Sequence, residues 1–335
     1  MGLHLLEWNA DLTTEWNGTI KGADIMAKSI LITGGTGSFG QKFVELLLST
    51  NEYDRICIYS RDEHKQLEME QRLNDSRLRF FLGDIRDLER LRLALRGINE
   101  VVHAAAYKQV QKAEYDPSEC VKTNIRGSDN VIRACIDNGV KKCLLISTDK
   151  AVQPINLYGS TKMVAERLFI AANSYASTLF AVSRYGNVAG TRSTVVPIFL
   201  AQRSSGVVTV TNTNATRFWI TLEEANKFVL NVLSVLKPGR VYTPKMDSVK
   251  IMDIKEAVAP ECKVKIIGNR PGDKLHEVLV TEEEMARVTS EYGMNVINPV
   301  GSMESKSGVT EYNSSQGKIL SVEEIKGTLK GLVYA

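Results

Sequence analysis

The chain has 335 residues, 43% hydrophobic and 24% charged, which is the composition of an ordinary globular protein and excludes disordered, collagenous and membrane-embedded classes. Lysine and arginine total 42 against 39 for aspartate and glutamate, so the formal charge is only +3. This charge is too small to bind nucleic acid or an anionic membrane through bulk electrostatics, and any anion must be held by a local site.

The first predicted strand begins at Ser29. Residues 1–25 form a leader without the basic and apolar regions of a secretory signal, and we expect it to be poorly ordered. From Ser29 onward, short apolar runs alternate with longer amphipathic stretches. Strands are predicted at SILIT, RICIY, LRFFL, 100–103, 142–146 and 179–185, and helices at FVELLLST, 65–74, 119–138 and 158–174. This order predicts an α/β fold of the Rossmann type, a doubly wound parallel sheet with helices on both faces.

The βα rhythm weakens after Asn187. Short apolar runs (VVTV, 240–242 and KVKIIG) and a helix over 222–236 alternate there with loops. We therefore predict a Rossmann domain over 26–187 and a smaller C-terminal substrate lobe over 188–335, interleaved with the first domain.

A glycine-rich turn follows the first strand. Gly34, Gly37 and Gly40 have GxxGxxG spacing between that strand and the next helix. Glycine lets the strand turn sharply, lets the backbone approach a pyrophosphate, and lets the helix pack closely, while the helix N-terminus attracts the phosphates. The turn predicts dinucleotide binding by Gly34, Thr36, Gly37, Ser38, Phe39 and Gly40.

The second strand ends in Ser60 and Arg61, with Lys65 one turn later. An acid at this place would accept the ribose hydroxyls of NAD, whereas a hydroxyl with two nearby cations suits the extra phosphate of NADP. We predict NADP; the alternative is that both cations are solvated surface charges. After the third strand, Asp84, beside Ile85, is assigned either to the adenine amino group or to the cap of the next helix.

Polar residues cluster after the fifth strand. Tyr158 and Lys162 lie four residues apart on one helix face. A neighbouring ammonium favours the phenolate, so we expect Lys162 to lower the pKa of Tyr158, and Thr148 to hydrogen-bond a sugar hydroxyl that is being oxidised. Tyr158, Lys162 and Thr148 are thus predicted to be catalytic.

The cysteines, the histidines and the apolar stretches indicate where the protein is located and whether it binds a metal. The five cysteines are widely spaced and lack a CxxC pair, which is typical of buried thiols in a reducing compartment, so a cytoplasmic location is expected. The four histidines lack metal-ligand spacing, and no metal site is predicted. No apolar stretch is long enough to span a membrane, so we expect a soluble protein.

The motifs TGGTGSFG, YSRDE, GDIRD, HAAAYK, STDKAVQPINLYGSTK, RYGNVAGTR, TRFWIT and RPGDKLHE span about residues 29–277. Together they resemble the extended short-chain dehydrogenase/reductase family, and within it the soluble inverting UDP-N-acetylglucosamine 4,6-dehydratases of pseudaminic acid synthesis. The resemblance implies an NADP-dependent lyase acting on a UDP-sugar, and a homo-oligomer, either a hexamer or a dimer. It implies that Asp149 is the acid and Lys150 the base of water elimination, with inversion at carbon 5. A basic Lys150 must be neutral, so we expect burial and Lys162 to depress its pKa.

The resemblance also implies which residues bind the cofactor and the substrate. Ala104 and Lys108 are implied to contact the cofactor or the sugar. The residues implied to contact the nucleotide are Asn187, Val188, Arg192, Arg217, Arg270 and Glu277. For the arginines the alternative is a surface ion pair. Tyr107 and Gln111 depart from the family pattern in a loop that shapes the sugar pocket. Two other functions are considered: a UDP-N-acetylhexosamine 4-epimerase and a non-catalytic NADP-binding regulator.

Overall fold

The structure is a computed structural model that describes residues 28–191, 194–301, 308 and 310–330. The leader predicted over residues 1–25 and the predicted nucleotide contact Arg192 lie outside these residues.

Sixteen strands and twelve α-helices occur in the described residues. The strands are β1 (Ser29–Thr33), β2 (Arg55–Ser60), β3 (Leu78–Leu82), β4 (Glu100–His103), β5 (Lys142–Thr148), β6 (Leu179–Tyr185), β7 (Asn187–Val188), β8 (Val207–Val210), β9 (Thr216–Ile220), β10 (Val241–Pro244), β11 (Asp247–Lys250), β12 (Lys263–Ile266), β13 (Val278–Val280), β14 (Val288–Glu291), β15 (Met294–Ile297) and β16 (Tyr312–Asn313). The helices are α1 (Ser38–Thr50), α2 (Glu63–Leu73), α3 (Leu88–Ala94), α4 (Val110–Tyr115), α5 (Pro117–Val121), α6 (Gly127–Asp137), α7 (Leu157–Ala172), α8 (Val195–Gln202), α9 (Leu222–Val235), α10 (Ile251–Val258), α11 (Glu282–Met285) and α12 (Val322–Leu329).

A nine-stranded sheet forms the centre of the molecule, in the order β14-β15-β10-β6-β5-β4-β1-β2-β3. Strands β1 to β6 and β10 are parallel, and β15 and β14 add antiparallel pairs at one edge. The sheet strands are apolar because both faces are covered; Ile30, Leu31 and Ile32 of β1 are fully buried. The predicted Rossmann-type α/β fold is confirmed. The strand order reverses between β1 and β4, where sheets of this kind bind ligands beyond the carboxyl ends of their strands.

The helix predicted over 119–138 is interrupted. A π-helical turn, Lys122–Arg126, separates α5 from α6. Inside the turn, the Asn124 side chain accepts a hydrogen bond from the Tyr107 backbone N–H at 2.7 Å and donates to the Tyr107 carbonyl at 2.9 Å. The wider helical turn thus holds the segment that follows β4 against the helix, a role that residue periodicity does not reveal.

A second, smaller apolar core lies in the part of the chain after Asn187. Val196, Phe199, Val208 and Ile254 are among its buried residues. Strands β10, β14 and β15 also come after Asn187, yet they belong to the central sheet. The later part of the chain therefore forms an apolar core of its own and also adds strands to the central sheet. Among the residues that the structure describes, no helix combines the length and apolar character needed to cross a membrane.

Candidate active site

A cleft with a volume of about 2120 Å³ opens at the carboxyl ends of the parallel strands. It brings together residues that sequence analysis predicted from separate motifs. The predicted residues that line it are Gly34, Thr36, Gly37, Ser38, Phe39, Gly40, Ser60, Arg61, Lys65, Asp84, Ile85, Ala104, Lys108, Thr148, Asp149, Lys150, Tyr158, Lys162, Asn187, Val188 and Arg270. Arg217 and Glu277 do not line the cleft; they lie behind Lys150, as described below.

The glycine turn forms one end of the cleft. The Gly34 N–H donates to the Tyr59 carbonyl at 2.8 Å, which ties the turn to the end of β2. Gly34 has φ +70°, and a Cβ there would lie 2.9 Å from the Ala105 Cα; a Cβ on Gly40 would lie 2.5 Å from the Gly35 Cα. Helix α1 begins after Gly37 without a side-chain cap, which leaves its first amides facing the cleft. This backbone cradle fits a dinucleotide pyrophosphate.

The residues after β2 and β3 are paired with one another. The Ser60 hydroxyl accepts a hydrogen bond from the Gln66 side chain at 2.9 Å, and Lys65 forms an ion pair with Asp62. Arg61 lies 3.6 Å from Asp84.

Asp84 accepts two side-chain hydrogen bonds from Arg86, at 2.9 and 2.7 Å. Burial raises the pKa of Asp84, but the Arg86 hydrogen bonds and the Arg61 charge outweigh it and lower that pKa. The cap of α3 is Asp87, which accepts from the Arg90 N–H at 3.0 Å, so the helix-cap alternative for Asp84 is wrong.

The chain turns sharply where β5 ends. Residues Asp149–Ala151 form a 3₁₀ turn that Thr148 caps, accepting from the Lys150 N–H at 3.3 Å and donating to Asp149 Oδ1 at 2.9 Å. Helix α7 packs directly on this turn, and a Cβ on Gly159 would lie 2.1 Å from the Lys150 carbonyl oxygen. Only glycine therefore allows the helix carrying Tyr158 to approach the turn carrying Asp149.

Asp149 and Lys150 belong to a cluster of charges. Lys150 Nζ lies 3.1 Å from Asp149 Oδ1 and 3.3 Å from Glu277 Oε1, and Arg217 Nε lies 3.7 Å from the same Glu277 oxygen. Asp149 and Glu277 are buried, and neither Asp149 Oδ2 nor Glu277 Oε2 has a hydrogen-bond partner within the described protein.

This cluster sets the protonation of its members. Burial and the Glu277 charge raise the pKa of Asp149 against the opposing charge of Lys150. Burial would lower the pKa of Lys150, but the charges of Asp149 and Glu277 outweigh it and raise that pKa. The expected depression of the Lys150 pKa is therefore wrong, because two carboxylates contact the amine and Lys162 does not govern it.

Tyr158 and Lys162 extend from α7, whose N-terminus is capped by Asn156 accepting from the Gly159 N–H at 2.7 Å. Lys162 Nζ donates to the Ile146 carbonyl at 2.7 Å, and burial lowers the pKa of Lys162 to about 8 against the charge of Glu166. Burial raises the pKa of Tyr158 to about 12, and the cation that opposes this shift is Lys150. The expectation that Lys162 lowers the pKa of Tyr158 is wrong, since burial dominates and a different lysine supplies the field.

A buried charge network supports α7 and was not predicted from the sequence. Arg184 of β6 donates to Glu166 at 3.1 and 2.6 Å and to Glu284 at 2.9 and 3.0 Å, and Ser147 donates to Glu166 at 2.5 Å. The only sequence signal was the placement of Glu166 four residues after Lys162, on the same helix face.

Residues predicted for the nucleotide also line the cleft. Asn187 Oδ1 is buried without a hydrogen-bond partner in the described protein and lines the cleft. When the Gln111 amide is oriented to satisfy its neighbours, its oxygen accepts from Arg270 Nη1 at 2.7 Å and Nε at 3.2 Å. One departure from the family pattern, Gln111, therefore contacts a predicted nucleotide residue. Asn156 Nδ2 donates to the Gly272 carbonyl at 3.0 Å and holds the same loop against α7.

The positions of Arg217 and Glu277 differ from the expectation. Arg217 donates to the Thr216 and Leu275 carbonyls at 2.7 and 3.1 Å, and Glu277 is only 3% exposed beside Lys150. A direct contact of Glu277 with a ribose does not agree with this burial, because its carboxylate faces the charged cluster instead.

Known proteins are similar to this chain in sequence or in fold. A UDP-N-acetylglucosamine 4,6-dehydratase (inverting) of Campylobacter jejuni is 50% identical over 262 residues, covering 77% of this chain and 78% of the relative. A UDP-glucose 4-epimerase of Rickettsia felis is 36% identical over 329 residues, 92% of this chain and 96% of the relative. The crystal structure of a dTDP-glucose 4,6-dehydratase, DesIV from Streptomyces venezuelae with NAD and TYD bound, has a TM-score of 0.67 at 21% identity and shares the fold over 74% of this chain and 86% of its own.

The sequence family described as polysaccharide biosynthesis protein matches residues 30–299, which include the glycine turn, the turn after β5, helix α7 and Glu277. The match covers most of the chain. The chain therefore belongs to the polysaccharide biosynthesis protein family.

Proposed function

We propose that this protein is a nucleotide-sugar 4,6-dehydratase that removes water from UDP-N-acetylglucosamine and yields a UDP-2-acetamido-2,6-dideoxy-hexos-4-ulose. The observation that carries the proposal is the Asp149–Lys150 pair, which lines the same cleft as Thr148 and Tyr158. An epimerase of this superfamily needs only the Thr, Tyr and Lys set, whereas elimination of water needs a second acid and a base. The 50% identical relative, named as an inverting dehydratase, supports this reaction and inversion at carbon 5.

The cleft suits a nicotinamide dinucleotide. The glycine cradle and the uncapped start of α1 fit its pyrophosphate, and the structurally similar DesIV holds NAD. When bound, the cofactor would supply hydride-transfer chemistry, namely oxidation at carbon 4 of the sugar and reduction at carbon 6. Ser60 and Arg61 at the end of β2 favour NADP over NAD, because a hydroxyl and a guanidinium suit an extra phosphate.

The first chemical task of the chain is to hold and deprotonate the carbon 4 hydroxyl. Thr148 forms a hydrogen bond with the carbon 4 hydroxyl, and Tyr158 takes the proton of that hydroxyl. Because burial raises the pKa of Tyr158 to about 12, its phenolate depends on the positive charge of Lys150. Lys162, held on the Ile146 carbonyl, positions the nicotinamide ribose.

The second task is elimination, in which Lys150 takes the carbon 5 proton and Asp149 gives a proton to the hydroxyl that leaves carbon 6. Lys150 is charged at rest, so it becomes a base only after losing a proton. Asp149 Oδ1 lies 3.1 Å from Lys150 Nζ and can receive that proton. One transfer converts the ammonium–carboxylate pair into an amine and a carboxylic acid, which are the two forms that elimination requires.

The finer assignments follow the same resemblance. Inversion at carbon 5 gives the product that pseudaminic acid synthesis uses, and we propose that the enzyme acts in the cytoplasm as a homo-oligomer, a hexamer or a dimer. Asn187, Val188, Lys108 and Arg270 line the cleft and are proposed to hold the UDP-sugar. Arg192 remains a proposed diphosphate contact.

Product identification tests the function. We expect proton NMR in deuterated water to show a 6-deoxy-4-keto sugar formed from UDP-N-acetylglucosamine, with deuterium at carbon 5. If the wild-type protein forms no such sugar, the proposal is wrong.

The second candidate is a UDP-N-acetylhexosamine 4-epimerase, which the 36% identical Rickettsia relative favours. It would produce UDP-N-acetylgalactosamine in the same tube. It would also retain its activity after Asp149→Asn, because epimerisation transfers no proton at carbon 5 or carbon 6.

A further inference from the structure

Glu277 lies in the charged cluster behind the cleft, at a position that the backbone fixes firmly. Its N–H donates to Ser314 Oγ at 2.9 Å, and its carbonyl accepts from the Ser314 N–H at 2.8 Å. The Ser314 hydroxyl in turn donates to the Thr216 carbonyl at 3.2 Å. Glu277 is thus anchored to the residue that follows strand β16, which is bonded in turn to strand β9, and the Glu277 carboxylate lies against Lys150 of the turn after β5.

The carboxylate of Glu277 contacts a predicted catalytic amine. Oε1 lies 3.3 Å from Lys150 Nζ and 3.7 Å from Arg217 Nε, whereas Oε2 is buried and has no hydrogen-bond partner in the described protein. Leaving a buried carboxylate oxygen unsatisfied is costly, and service in catalysis is one reason for which proteins keep such a group. The side chain does not line the cleft, so it acts on the sugar only through another residue.

We propose that Glu277 is a positioning residue for the proposed dehydration: it holds the Lys150 amine against Asp149 and fixes how many protons the Lys150–Asp149 pair carries. The proposal rests on the proposed function for its catalytic meaning. Without the Glu277 charge, Asp149 and Lys150 would each bind a proton less firmly. The Lys150 amine would also no longer be held against Asp149.

The charged groups around Glu277 determine its ionisation, and its charge in turn affects theirs. The charged groups that act on it are Asp149 and Lys150 from the turn after β5, Arg217 from β9, and Lys274 from its own segment. Tyr158 of α7 acts on Lys150 and Asp149, and His276 is bonded to Thr216. Burial raises the pKa of Glu277, but the charges of Lys150, Arg217 and Lys274 lower it, so the group is an anion at neutral pH. That anion raises the pKa of both Asp149 and Lys150. Its removal therefore lowers both.

Glu277→Gln keeps the shape of the side chain and removes its charge. We expect kcat to fall at least 10-fold while KM for the UDP-sugar changes less than 3-fold, and the pH optimum of kcat to move to lower pH. Glu277→Asp keeps the charge and should recover part of the lost kcat and the wild-type pH optimum. An increase in KM with unchanged kcat would identify a ribose contact instead and overturn the proposal, and so would an unmoved pH optimum.

A second measurement needs no substrate turnover. The rate at which acetic anhydride acetylates Lys150 at pH 8.5, followed by peptide mass spectrometry, reports the neutral fraction of the amine. We expect Glu277→Gln to raise this rate 3-fold or more, and a smaller change would contradict the proposal. If the wild type forms no keto sugar, the proposed function fails while this result still decides the role of Glu277.

Glu284→Gln is the matched control. Glu284 is also a glutamate paired with an arginine, Arg184; its side chain is 13% exposed and contacts neither Asp149 nor Lys150. We expect it to lower stability without changing the acetylation rate of Lys150 or the pH optimum. If both variants change the acetylation rate and the pH optimum equally, Glu277 has only a structural role and the proposal is wrong.

Discussion

At the turn between β1 and α1 the cleft is formed by backbone: three closely spaced glycines, amides without side-chain caps, and contacts to Ala105 and Tyr59. At the turn after β5 it is formed by side-chain charges, and Asp149 and Lys150 meet Arg217 and Glu277 from distant parts of the chain. The first region is specified by local sequence and the second by tertiary structure. Changes in the first should act on cofactor binding through sterics, and changes in the second on chemistry through protonation.

Asp149→Asn and Lys150→Met distinguish the roles of the two regions most clearly. We expect either change to reduce kcat by about 10² to 10⁴-fold, the usual value of positioned proton transfer, while the bound nicotinamide is retained. Product formation by NMR and nucleotide release on denaturation measure the two effects separately. A loss of less than tenfold in kcat would remove these residues from the chemistry.

Buried charge also affects stability, and Lys162 provides the test. Its pKa is about 8 in the folded protein against about 10.5 in the unfolded chain, so the unfolded state binds more protons between these values. The cost of burying its charge is fully present below pH 8 and disappears as the pH rises toward 10.5. We expect urea unfolding to show that the wild type gains up to about 3 kcal/mol relative to Lys162→Met between pH 7.5 and 10. A pH-independent difference would show that Lys162 is not desolvated.

Two glycines compare the regions directly. Gly40→Ala places a Cβ 2.5 Å from the Gly35 Cα, and Gly159→Ala places one 2.1 Å from the Lys150 carbonyl. Because both neighbours are backbone atoms, each change should lower the free energy of unfolding by about 1–3 kcal/mol. We expect Gly40→Ala to release the cofactor, and Gly159→Ala to retain it but lose kcat.

Gly327→Ala in α12 is the control for these substitutions, because its Cβ meets nothing within 4 Å. It should raise the free energy of unfolding by about 0.5–1 kcal/mol, as alanine does in a helix. If Gly40→Ala and Gly159→Ala behave alike in cofactor retention, the division of labour between the two regions is wrong.

The smallest expected effect is at the end of β2. Arg61→Ala should weaken NADP binding about tenfold and leave NAD binding nearly unchanged, because one charge-assisted hydrogen bond to the extra phosphate is lost. Fluorescence titration of nucleotide-free protein with each dinucleotide measures both affinities. An equal loss for NAD would indicate that Arg61 contacts a group common to both.

Particular residues show what sequence reasoning can reach. The glycine turn and the pair Tyr158 and Lys162 were predicted from residues that lie close together in the sequence. The structure places both motifs in one cleft. The pKa of Lys150 was predicted in the wrong direction because the prediction left out the charge of the neighbouring Asp149, and because Glu277 approaches the amine from a distant segment. The π-helical turn at Asn124 was missed because it depends on hydrogen bonds to Tyr107 rather than on periodicity. Assignments of individual roles to the nucleotide contacts stay predictions.

Strand β10, which follows Asn187 in the chain, pairs in parallel with β6 in the central sheet, and β15 and β14 continue the sheet outward. A protein truncated at Asn187 would expose the backbone edge of β6, a strand whose residues are all buried in the folded protein except the partly exposed Leu179. Such a fragment should aggregate rather than act as a portable nucleotide-binding module. Exchanging substrate preference between relatives by swapping whole lobes would therefore fail, and recombination must keep the sheet from one parent and exchange only the loops above it.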